Sequence, residues 1–560
     1  MADAILPPLI QAFCDPTLHG NPQTGVRVVE THISWVVLVG KYAYKIKKPV
    51  DYGFLNYSTL AARNRCCQEE FRLNQRLAPT LYLGVVAITQ HDTTLAIDGN
   101  GPILEYAVKL KQFDESGLAD RLLGQNRVTT DQIDQLAETL AYFHARALRA
   151  ATDSSYGSPS TILEAADHNF AHLCRIAKEF QLEPKPSQRG LPEMPAADEG
   201  VGILGTLKAL SLWTREQFCV LEGVFITRKN GGFIRECHGD LHSGNLVLID
   251  GELVPFDCIE FSEDLRWIDC FSEIAFIFMD FEERGHSGLA WRLLNRYLEV
   301  SGDYAGLKTL AFYAVYRALV RAKVAALSAE QATDPGERSS RLTQCLRYLD
   351  YANGLITREY FPSLFITHGY SGSGKSFCAK ALSACLSAIR LASDVERKRL
   401  AGLEAMDDSH SPVQSAIYTE SMTRSTYQRL LCQAKLCLGL GFNVILDATY
   451  LDASERLRCR ELAKQIGVRC LILDFHAPEV GLIRRIGERQ RGGVDPSEAD
   501  LAVLARQMER ADPLGADELP WVVRVDTTKQ PDIDQIRRSI KEFSLATEPN
   551  TPWLTSIQTA

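Results

Sequence analysis

The chain has 560 residues, with 61 Lys and Arg against 70 Asp and Glu, so its formal net charge is −9. A hydrophobic fraction of 46% is typical of a soluble globular protein. At about 150 residues per domain, the length predicts several folding units and excludes one small binding module. The acidic balance argues against a protein that coats nucleic acid or an anionic membrane, because such binding depends on clustered Lys and Arg.

The start of the chain and its apolar segments predict a cytoplasmic protein without a membrane partner. The first basic residue is Arg27, so the opening lacks the charged start of a secretory signal. The longest apolar helix candidate, residues 310–327, contains three basic side chains, which a membrane span tolerates poorly. The 15 cysteines have no metal-binding spacing, so we expect buried free thiols.

The first half of the chain predicts a small sheet lobe followed by a helical lobe. Short apolar runs over residues 26–48 indicate an antiparallel meander, and a helix is expected over about residues 59–77. More strand-like sequence surrounds a turn at residues 98–101, and helical periodicity begins at Ile133. We place the sheet lobe at about residues 25–115 and the helical lobe at about 116–352, with 183–200 as a surface loop.

The pattern changes after residues 353–362, which we interpret as a linker. A strand, a glycine loop, a helix and a further strand follow, so residues 363–545 are expected to form a parallel α/β domain. Residues 546–560 resemble a disordered tail. The expected fold class is multidomain, with an α+β two-lobed first domain over residues 1–352 and an α/β second domain.

A catalytic constellation is predicted in the first domain. The sequence HGDLHSGN begins at His238 and precedes two short strands, the second of which leads to Asp257. Phosphoryl transfer from ATP needs a group that accepts the proton of the acceptor and oxygen ligands for Mg²⁺. Asp240 suits the base, and Asn245 and Asp257 suit the metal.

This motif resembles the catalytic loop of the aminoglycoside phosphotransferase and choline kinase superfamily, whose fold is similar to that of protein kinases. The resemblance implies that Asp269 supports the catalytic loop. It also implies that a lysine on an upstream strand holds the ATP phosphates and pairs with a helix glutamate. Lys45 and Glu70 are the favoured pair, and Lys47 and Glu69 are the alternatives.

The sequence of the first domain also predicts a phosphate-covering turn, an adenine-binding hinge and a role for two arginines. No glycine-rich loop precedes the lysine strand, so a turn over residues 30–34, with the hydroxyls of Thr31 and Ser34, is expected to cover the phosphates. Residues 105–107 resemble the hinge that meets adenine, with an ordinary strand end as the alternative. Arg317 and Arg321, four residues apart, either bind an anionic acceptor or are structural.

The second domain contains a phosphate-binding loop. Residues 369–376, GYSGSGKS, match GxxxxGK[ST] between a strand and a helix. Backbone N–H groups and the lysine hold phosphates, and the final serine binds Mg²⁺. The nucleotide-binding residues are expected to be Gly369, Gly372, Gly374, Lys375 and Ser376. Asp447, at the end of an apolar strand, is the expected acidic partner of the metal.

Between these motifs, Asp394 and Arg397 form a D-x-x-R pattern that suits proton acceptance and an anionic acceptor. The pattern, together with the phosphate-binding loop, resembles small P-loop kinases related to polynucleotide kinase and zeta toxin; a charged helix start is the alternative. In those kinases the region matching residues 484–491 is a lid. Arg485 and Arg489 share a helix face and are expected to close on the transferring phosphate, unless the helix is simply solvated.

Together the motifs resemble a bacterial fusion of a phosphotransferase-like domain with a P-loop kinase-like domain. We predict an ATP- and Mg²⁺-dependent phosphotransferase with two nucleotide sites that acts on hydroxyl groups of small molecules or nucleotide-like acceptors. The alternative is one catalytic kinase domain with the P-loop domain as an ATP-gated regulatory or partner-binding module. No basic stripe interleaved with aromatics supports a third candidate, a nucleic-acid end kinase.

Overall fold

The computed structural model describes residues 6–19, 25–53, 55–92, 94–180, 202–404, 419–492 and 499–546. The predicted surface loop over residues 183–200 lies outside these ranges, as does the predicted tail beyond residue 546. The chain divides into two compact units. The first unit contains the described residues of Met1–Asp280 and Thr309–Asn353, and the second contains those of Phe281–Lys308 and Gly354–Ala560.

The strands form sheets within each unit. In chain order they are β1 (Val26–Glu30), β2 (Ser34–Val39), β3 (Tyr42–Lys47), β4 (Tyr82–His91), β5 (Thr94–Ile97), β6 (Ile103–Lys111), β7 (Ile234–Glu236), β8 (Leu246–Ile249), β9 (Glu252–Pro255), β10 (Trp267–Asp269), β11 (Ser363–His368), β12 (Ala388–Ala392), β13 (Asn443–Asp447), β14 (Arg469–His476) and β15 (Val522–Asp526).

The helices connect and cover these sheets. In chain order they are α1 (Pro8–Phe13), α2 (Leu60–Asn74), α3 (Ala119–Gly124), α4 (Thr130–Arg146), α5 (Pro159–Glu179), α6 (Ile203–Asn230), α7 (Glu263–Arg266), α8 (Cys270–Glu283), α9 (Ser287–Ser301), α10 (Leu310–Gln331), α11 (Pro335–Thr357), α12 (Lys375–Cys385), α13 (Ser393–Leu400), α14 (Glu420–Gly439), α15 (Ala453–Ile466), α16 (Glu479–Gly492), α17 (Leu501–Arg510) and α18 (Ile533–Ala546).

The first unit begins with an antiparallel sheet of strand order β1-β2-β3-β6-β4-β5. Alternation along β3 places Ala43, Lys45 and Lys47 on one face. Helix α2 packs on that face, where Ala43 and Cys67 belong to the same buried apolar cluster. The predicted meander and helix therefore bring a lysine strand and a glutamate helix together.

Two short antiparallel pairs of strands frame the predicted catalytic loop of the first unit. β7 pairs with β10, and β8 pairs with β9 in a hairpin. The loop from His238 to Asn245 joins β7 to β8, and Asp257 follows β9. Because both pairs are anchored by buried apolar residues, such as Ile234 in β7 and Leu246 in β8, the polar loop residues are held between fixed strand ends.

The expected hinge at residues 105–107 is wrong in its position. These residues lie inside β6 rather than at a strand end, and Glu105 pairs with Ile88 of β4 in the sheet. The polar Glu105 is accommodated in the strand because Arg63 Nε donates to its Oε2 atom over 2.8 Å. The strand continues to Lys111.

The second unit has a parallel sheet of strand order β12-β13-β11-β14-β15. Its inner strands are nearly continuous apolar runs, which is typical of strands covered on both faces. Because the strands are parallel, the carboxyl ends of β11, β12 and β13 meet at one sheet edge. The phosphate-binding loop follows β11, Asp394 follows β12, and Asp447 is the last residue of β13.

Helix α9 belongs to the second unit, although its sequence precedes the predicted linker at residues 353–362. It packs on α12 and β12. Asn295 on α9 extends the edge of the parallel sheet, because its Nδ2 atom donates to Ala388 O over 2.9 Å and its Oδ1 atom accepts from Arg390 N over 2.7 Å. The second unit therefore consists of two separate stretches of chain.

The predicted fold class is confirmed: an α+β first unit with a small sheet and a helical part, and a parallel α/β second unit. Within the described residues, no helix combines the length and the apolar character that crossing a bilayer requires. The cytoplasmic location stays a prediction from the sequence.

Candidate active sites

In the first unit, a lysine of β3 lies between two carboxylates that come from distant parts of the chain. Lys45 Nζ is 2.9 Å from Glu70 Oε1 on α2 and 2.5 Å from Asp257 Oδ1 after β9. Burial alone would raise the pKa of Glu70, but Lys45 and Lys47 lower it to about 2. This cluster therefore keeps its charged form at neutral pH.

Lys47 and Glu69, the alternatives to Lys45 and Glu70, make different contacts from the favoured pair. The side chain of Lys47 is fully buried and contacts Glu70 and Glu260, whereas the side chain of Lys45 is 14% exposed and touches the metal-ligand candidate Asp257. Glu69 instead accepts from Arg72, with Oε1 2.6 Å from Nη2. The geometry favours Lys45 with Glu70 as the phosphate-binding pair.

Asp240 is held by the loop that follows it. Asn245 Nδ2 donates to Asp240 O over 2.9 Å and to Oδ2 over 3.1 Å, so the predicted base and the predicted metal ligand are neighbours. Burial alone would raise the pKa of the Asp240 carboxyl, but His242 and Arg321 hold it below its ordinary value. The side chain is 35% exposed. Asp240 is thus an ionised carboxylate that an acceptor hydroxyl is able to reach.

The loop-supporting role expected of Asp269 belongs to Glu273. The backbone N–H groups of His238 and Gly239 donate to Glu273 Oε1 over 2.7 and 2.8 Å. Asp269 instead accepts from Arg228, with Oδ2 2.6 Å from Nε. Glu273 lies one turn into α8, so a helix that starts immediately after Asp269 carries its carboxylate back to the loop. The sequence signal for this contact was the segment DCFSE, in which Glu273 follows Asp269 by four residues.

The structure also describes Arg317 and the turn that contains Thr31 and Ser34. Arg317 is buried and structural, since its Nη1 atom donates to Gly239 O over 3.1 Å and its Nε atom donates to Ser272 Oγ over 3.2 Å. Thr31 Oγ1 accepts from Ser34 N over 2.9 Å and closes the turn between β1 and β2. The covering of phosphates by this turn stays a prediction.

The phosphate-binding loop of the second unit depends on its glycines. Gly369, Gly372 and Gly374 have φ values of +133°, +81° and +82°, which favour glycine over residues with a Cβ. A Cβ at Gly369 would also collide with the carbonyl oxygen of Phe475. Helix α12 begins at Lys375, so its first N–H groups adjoin the loop, as anion binding requires.

Lys375, Ser376 and Asp447 meet at the start of α12. Lys375 Nζ donates to Tyr370 O over 2.7 Å, and Ser376 Oγ donates to Asp447 Oδ1 over 3.1 Å. Burial lowers the pKa of Lys375 to about 8, although Asp447 and Asp394 act in the opposite direction. The predicted serine and aspartate of the metal site are therefore neighbours, and the lysine has a backbone carbonyl as its close partner.

Sequence reasoning missed Arg390 and Glu299. Arg390 Nε and Nη2 donate to Asp447 Oδ2 over 2.9 and 2.5 Å, and Nη1 donates to Glu299 on α9. Arg390 leaves Asp447 Oδ1 to Ser376 and so fixes the orientation of the carboxylate. An arginine inside a buried strand was a signal, because a buried guanidinium needs acidic partners. Its partner Glu299 was hidden because α9 precedes the predicted domain boundary.

The D-x-x-R pair is formed at the start of α13. Arg397 Nη1 donates to Asp394 Oδ1 over 3.0 Å, and the side chain of Asp394 is 28% exposed. Asp394 also lies close enough to raise the pKa of Lys375, against the larger effect of burial. The carboxylate predicted on the acceptor side therefore acts electrostatically on the predicted phosphate-binding lysine.

The two predicted lid arginines have different surroundings. Arg485 Nη1 donates to Gly372 O over 3.2 Å and to Thr527 Oγ1 over 3.3 Å, so this arginine contacts the phosphate-binding loop. Arg489 Nη2 donates to Ala499 O over 2.5 Å, and its charge contributes to the lowered pKa of Lys375 after the larger effect of burial. Both arginines lie on α16, but Arg485 is the one attached to the loop.

Part of the second unit matches a known family model, and two relatives match most of the chain. Residues 364–514 match the family model described as an AAA domain, so the second unit contains the P-loop domain that its motifs predict. An uncharacterized protein of Mycobacterium tuberculosis is 29% identical over 499 residues, which is 88% of this chain and 93% of that protein. An uncharacterized protein of Mycobacterium bovis matches to the same extent.

Solved structures similar to the chain include kinases. The GDP complex of aminoglycoside 2'-phosphotransferase-IIIa covers 62% of this chain and 99% of its own, with 14% identity and a TM-score of 0.34. Plasmodium vivax ethanolamine kinase covers 58% and 82%, with 11% identity and a TM-score of 0.34. A gluconokinase from Sinorhizobium meliloti covers 34% and 100%, with 20% identity and a TM-score of 0.24.

Proposed function

We propose that the chain is an ATP-dependent phosphotransferase with a nucleotide site in each unit, and that it moves the γ-phosphoryl group of ATP to hydroxyl groups of small-molecule or nucleotide-like acceptors. The observation that carries the proposal is the contact between Lys45 and Asp257, which are 212 residues apart in sequence and 2.5 Å apart in the fold. This contact joins the predicted phosphate-binding lysine to a predicted metal ligand, and it supports a nucleotide site in the first unit. We propose these small acceptors rather than an extended nucleic acid.

In the first unit, the side chains match the parts that phosphoryl transfer needs. Asp240 accepts the proton of the acceptor hydroxyl while that oxygen bonds to the γ-phosphorus and the bond to the β–γ bridging oxygen breaks, which releases ADP. Lys45 balances charge on the phosphate oxygens. Asn245 and Asp257 offer the oxygen ligands that Mg²⁺ prefers, and the ion supplies further neutralisation of phosphate charge when bound.

In the second unit, the same chemistry is proposed with different parts. The loop N–H groups and Lys375 bind the phosphates, and Ser376 with Asp447 would hold Mg²⁺. Asp394 is proposed to accept the acceptor proton, with Arg397 beside it to bind the acceptor. Arg485 and Arg489 are proposed to stabilise the transferring phosphoryl group, and the contact of Arg485 with Gly372 O supports this role.

The test uses the full-length chain, γ-labelled ATP and a panel of metabolites and oligonucleotides. The Asp240→Asn and Lys375→Met variants are each expected to lose one class of transfer by about 10³-fold and to keep the other, because charge and base groups carry most of such catalysis. The exposed residues Asp153 and Lys529 supply the matched controls Asp153→Asn and Lys529→Met, which should leave both classes unchanged.

The outcomes separate the proposal from its alternative. Unchanged transfer in Asp240→Asn with every acceptor would refute the site in the first unit. Loss of nucleotide binding in Lys375→Met, combined with unchanged transfer in Asp394→Asn, would make the P-loop unit a regulatory module instead of a second kinase site.

A further inference from the structure

The first unit contains a cation that the mechanism above does not use. Arg321 lies on α10, and its Nη1 atom is 3.1 Å from His242 Nε2, two residues along the chain from Asp240. Its side chain is partly exposed, whereas Arg317, four residues earlier on the same helix, is buried and bonded to the catalytic loop. Arg321 is therefore accessible to a ligand, and Arg317 is not.

The contact with His242 does not satisfy Arg321. The backbone N–H of Gly244 donates to His242 Nδ1 over 3.0 Å, so Nδ1 has a lone pair and the proton of the imidazole is on Nε2. The acceptor near that proton is Asp240, whose Oδ2 atom is 3.4 Å from Nε2. An arginine has N–H groups and no acceptor atom. Two donors thus face each other at His242 Nε2.

Arg321 also forms no ion pair with a carboxylate within the part of the chain that the structure describes, although Asp240 and Asp280 attract its charge. Its other contact is with Tyr348, whose hydroxyl is 3.5 Å from Nε, at the limit of a hydrogen bond. A guanidinium presents five N–H donors in a planar fork that matches a carboxylate or a phosphate. The geometry leaves most of this fork for a group that is supplied from outside the chain.

The position of Arg321 indicates what that group belongs to. The proposed mechanism already gives the transferring phosphate Lys45 for its charge, and Lys45 contacts the metal-ligand candidate Asp257. Arg321 is instead separated from Asp240 by one imidazole nitrogen. A molecule whose hydroxyl reaches Asp240 would bring its neighbouring substituent to the guanidinium.

We propose that Arg321 binds an anionic group, a carboxylate or a phosphate, on the acceptor that Asp240 activates. This inference rests on the proposed function of the first unit as a phosphotransferase. The acceptor class is then a hydroxy acid or a phosphorylated polyol. The hydroxyl proton goes to Asp240, the acceptor oxygen takes the γ-phosphoryl group of ATP, and ADP leaves. An ammonium-bearing acceptor is disfavoured, because it would place like charges together.

The experiment compares acceptors that differ in charge alone. Transfer from ATP is measured in the Lys375→Met background, which removes turnover by the P-loop unit. The acceptors are glycerate with glycerol, gluconate with sorbitol, and glucose 6-phosphate with glucose, and ethanolamine serves as the cationic probe. The carboxylate and phosphate pairs show which anion is bound. Wild-type Arg321 should give at least about tenfold higher kcat/KM for the anionic member of a pair, equivalent to one strong charged contact.

The Arg321→Met variant should lower kcat/KM for the anionic member by about 30-fold or more and leave the neutral member nearly unchanged. Arg321→Lys should recover part of the preference because it keeps the charge. Arg341→Met is the matched control, since Arg341 is an exposed arginine on α11 that pairs with Glu337.

Several outcomes would overturn the inference. These are equal losses for anionic and neutral acceptors, a preference for ethanolamine, and the absence of Asp240-dependent transfer to any anionic compound. A raised KM for ATP in Arg321→Met, with acceptor preference intact, would assign the arginine to the transferring phosphate instead. Transfer that persists in Asp240→Asn rejects the proposed function itself, so the two failures are distinguishable.

Discussion

The two candidate sites hold their phosphate-binding lysines in opposite ways. Lys45 lies between the carboxylates of Glu70 and Asp257; burial alone would lower its pKa, but these two groups raise it well above the ordinary value. Lys375 donates to the backbone carbonyl of Tyr370, and burial lowers its pKa to about 8. Lys45 therefore forms ion pairs with two carboxylates, whereas the close partner of Lys375 is a backbone carbonyl.

This difference follows from how each site is built. Lys45, on a sheet strand, meets carboxylates that folding brings from distant segments, so its positive charge has counter-ions within the protein. The P-loop is a local structure of backbone N–H groups, which carry partial positive charge and offer the lysine no counter-ion. Asp447 and Asp394 attract the charge of Lys375 but do not offset its burial, so we expect an anionic ligand to stabilise that charge further.

The largest effect should separate the two lysines of β3. Lys45→Met should lower kcat/KM for the first site by about 10²–10³-fold, as expected for loss of one electrostatic contact to the transition state. Lys47→Met should instead lower the free energy of unfolding by about 3–5 kcal/mol, because it leaves Glu70 and Glu260 buried without that partner. Steady-state kinetics and denaturant unfolding of the two variants measure these effects.

The exposed Lys529→Met variant is the control for both measurements. The assignment of Lys45 would be wrong if Lys47→Met lost activity at unchanged stability while Lys45→Met stayed active.

A smaller effect is expected from Arg390, which orients Asp447 in the second unit. Arg390→Met should lower activity of the P-loop site by about 10–100-fold and raise the Mg²⁺ concentration needed for half-maximal activity, as is usual when a residue that holds a metal ligand is removed. Glu299→Gln should have the same effect to a lesser degree, because Asp447 keeps its own contact with Arg390.

Arg460→Met is the matched control, since Arg460 forms its ion pair with Asp517 away from the phosphate-binding loop. If Arg390→Met lost stability but kept the wild-type Mg²⁺ dependence, Arg390 would be a structural residue and not a positioning residue.

The smallest effect is a pH dependence that the first site should lack. Lys375 has a pKa of about 8 in the free protein, and phosphate charge raises that pKa in the complex. Below pH 8 the lysine is already protonated, so affinity should be flat; above pH 8 binding must take up a proton. Affinity for ATP at the P-loop site should therefore weaken by about tenfold per pH unit above 8.

Calorimetry in two buffers of different ionisation enthalpy measures this proton uptake. Uptake at pH 9 should be present in the wild type and absent in Lys375→Met. Lys45 should contribute none, because its carboxylate partners keep it charged. A wild-type protein that binds ATP at pH 9 without proton uptake would contradict the comparison of the two lysines.

Much of each site could be predicted from short stretches of sequence. The GYSGSGKS loop and the HGDLHSGN loop are contiguous, so the residues that act together are also neighbours in the chain. Lys45 and Lys47 were both visible because strand alternation places them on one face, but period two cannot distinguish them. The choice depends on which carboxylate each lysine meets, and Asp257 and Glu260 come from more than 200 residues away.

By itself, the sequence determined the fold class, the two phosphate-handling motifs and the candidate bases Asp240 and Asp394. These properties depend on local pattern and backbone geometry. Only the tertiary structure decided that Glu273 replaces Asp269 beside the catalytic loop, that α9 supplies Glu299 to the second unit, and that Arg321 lies next to His242. Such contacts join segments far apart in sequence, and close packing of the cores, rather than local preference, determines which segments meet.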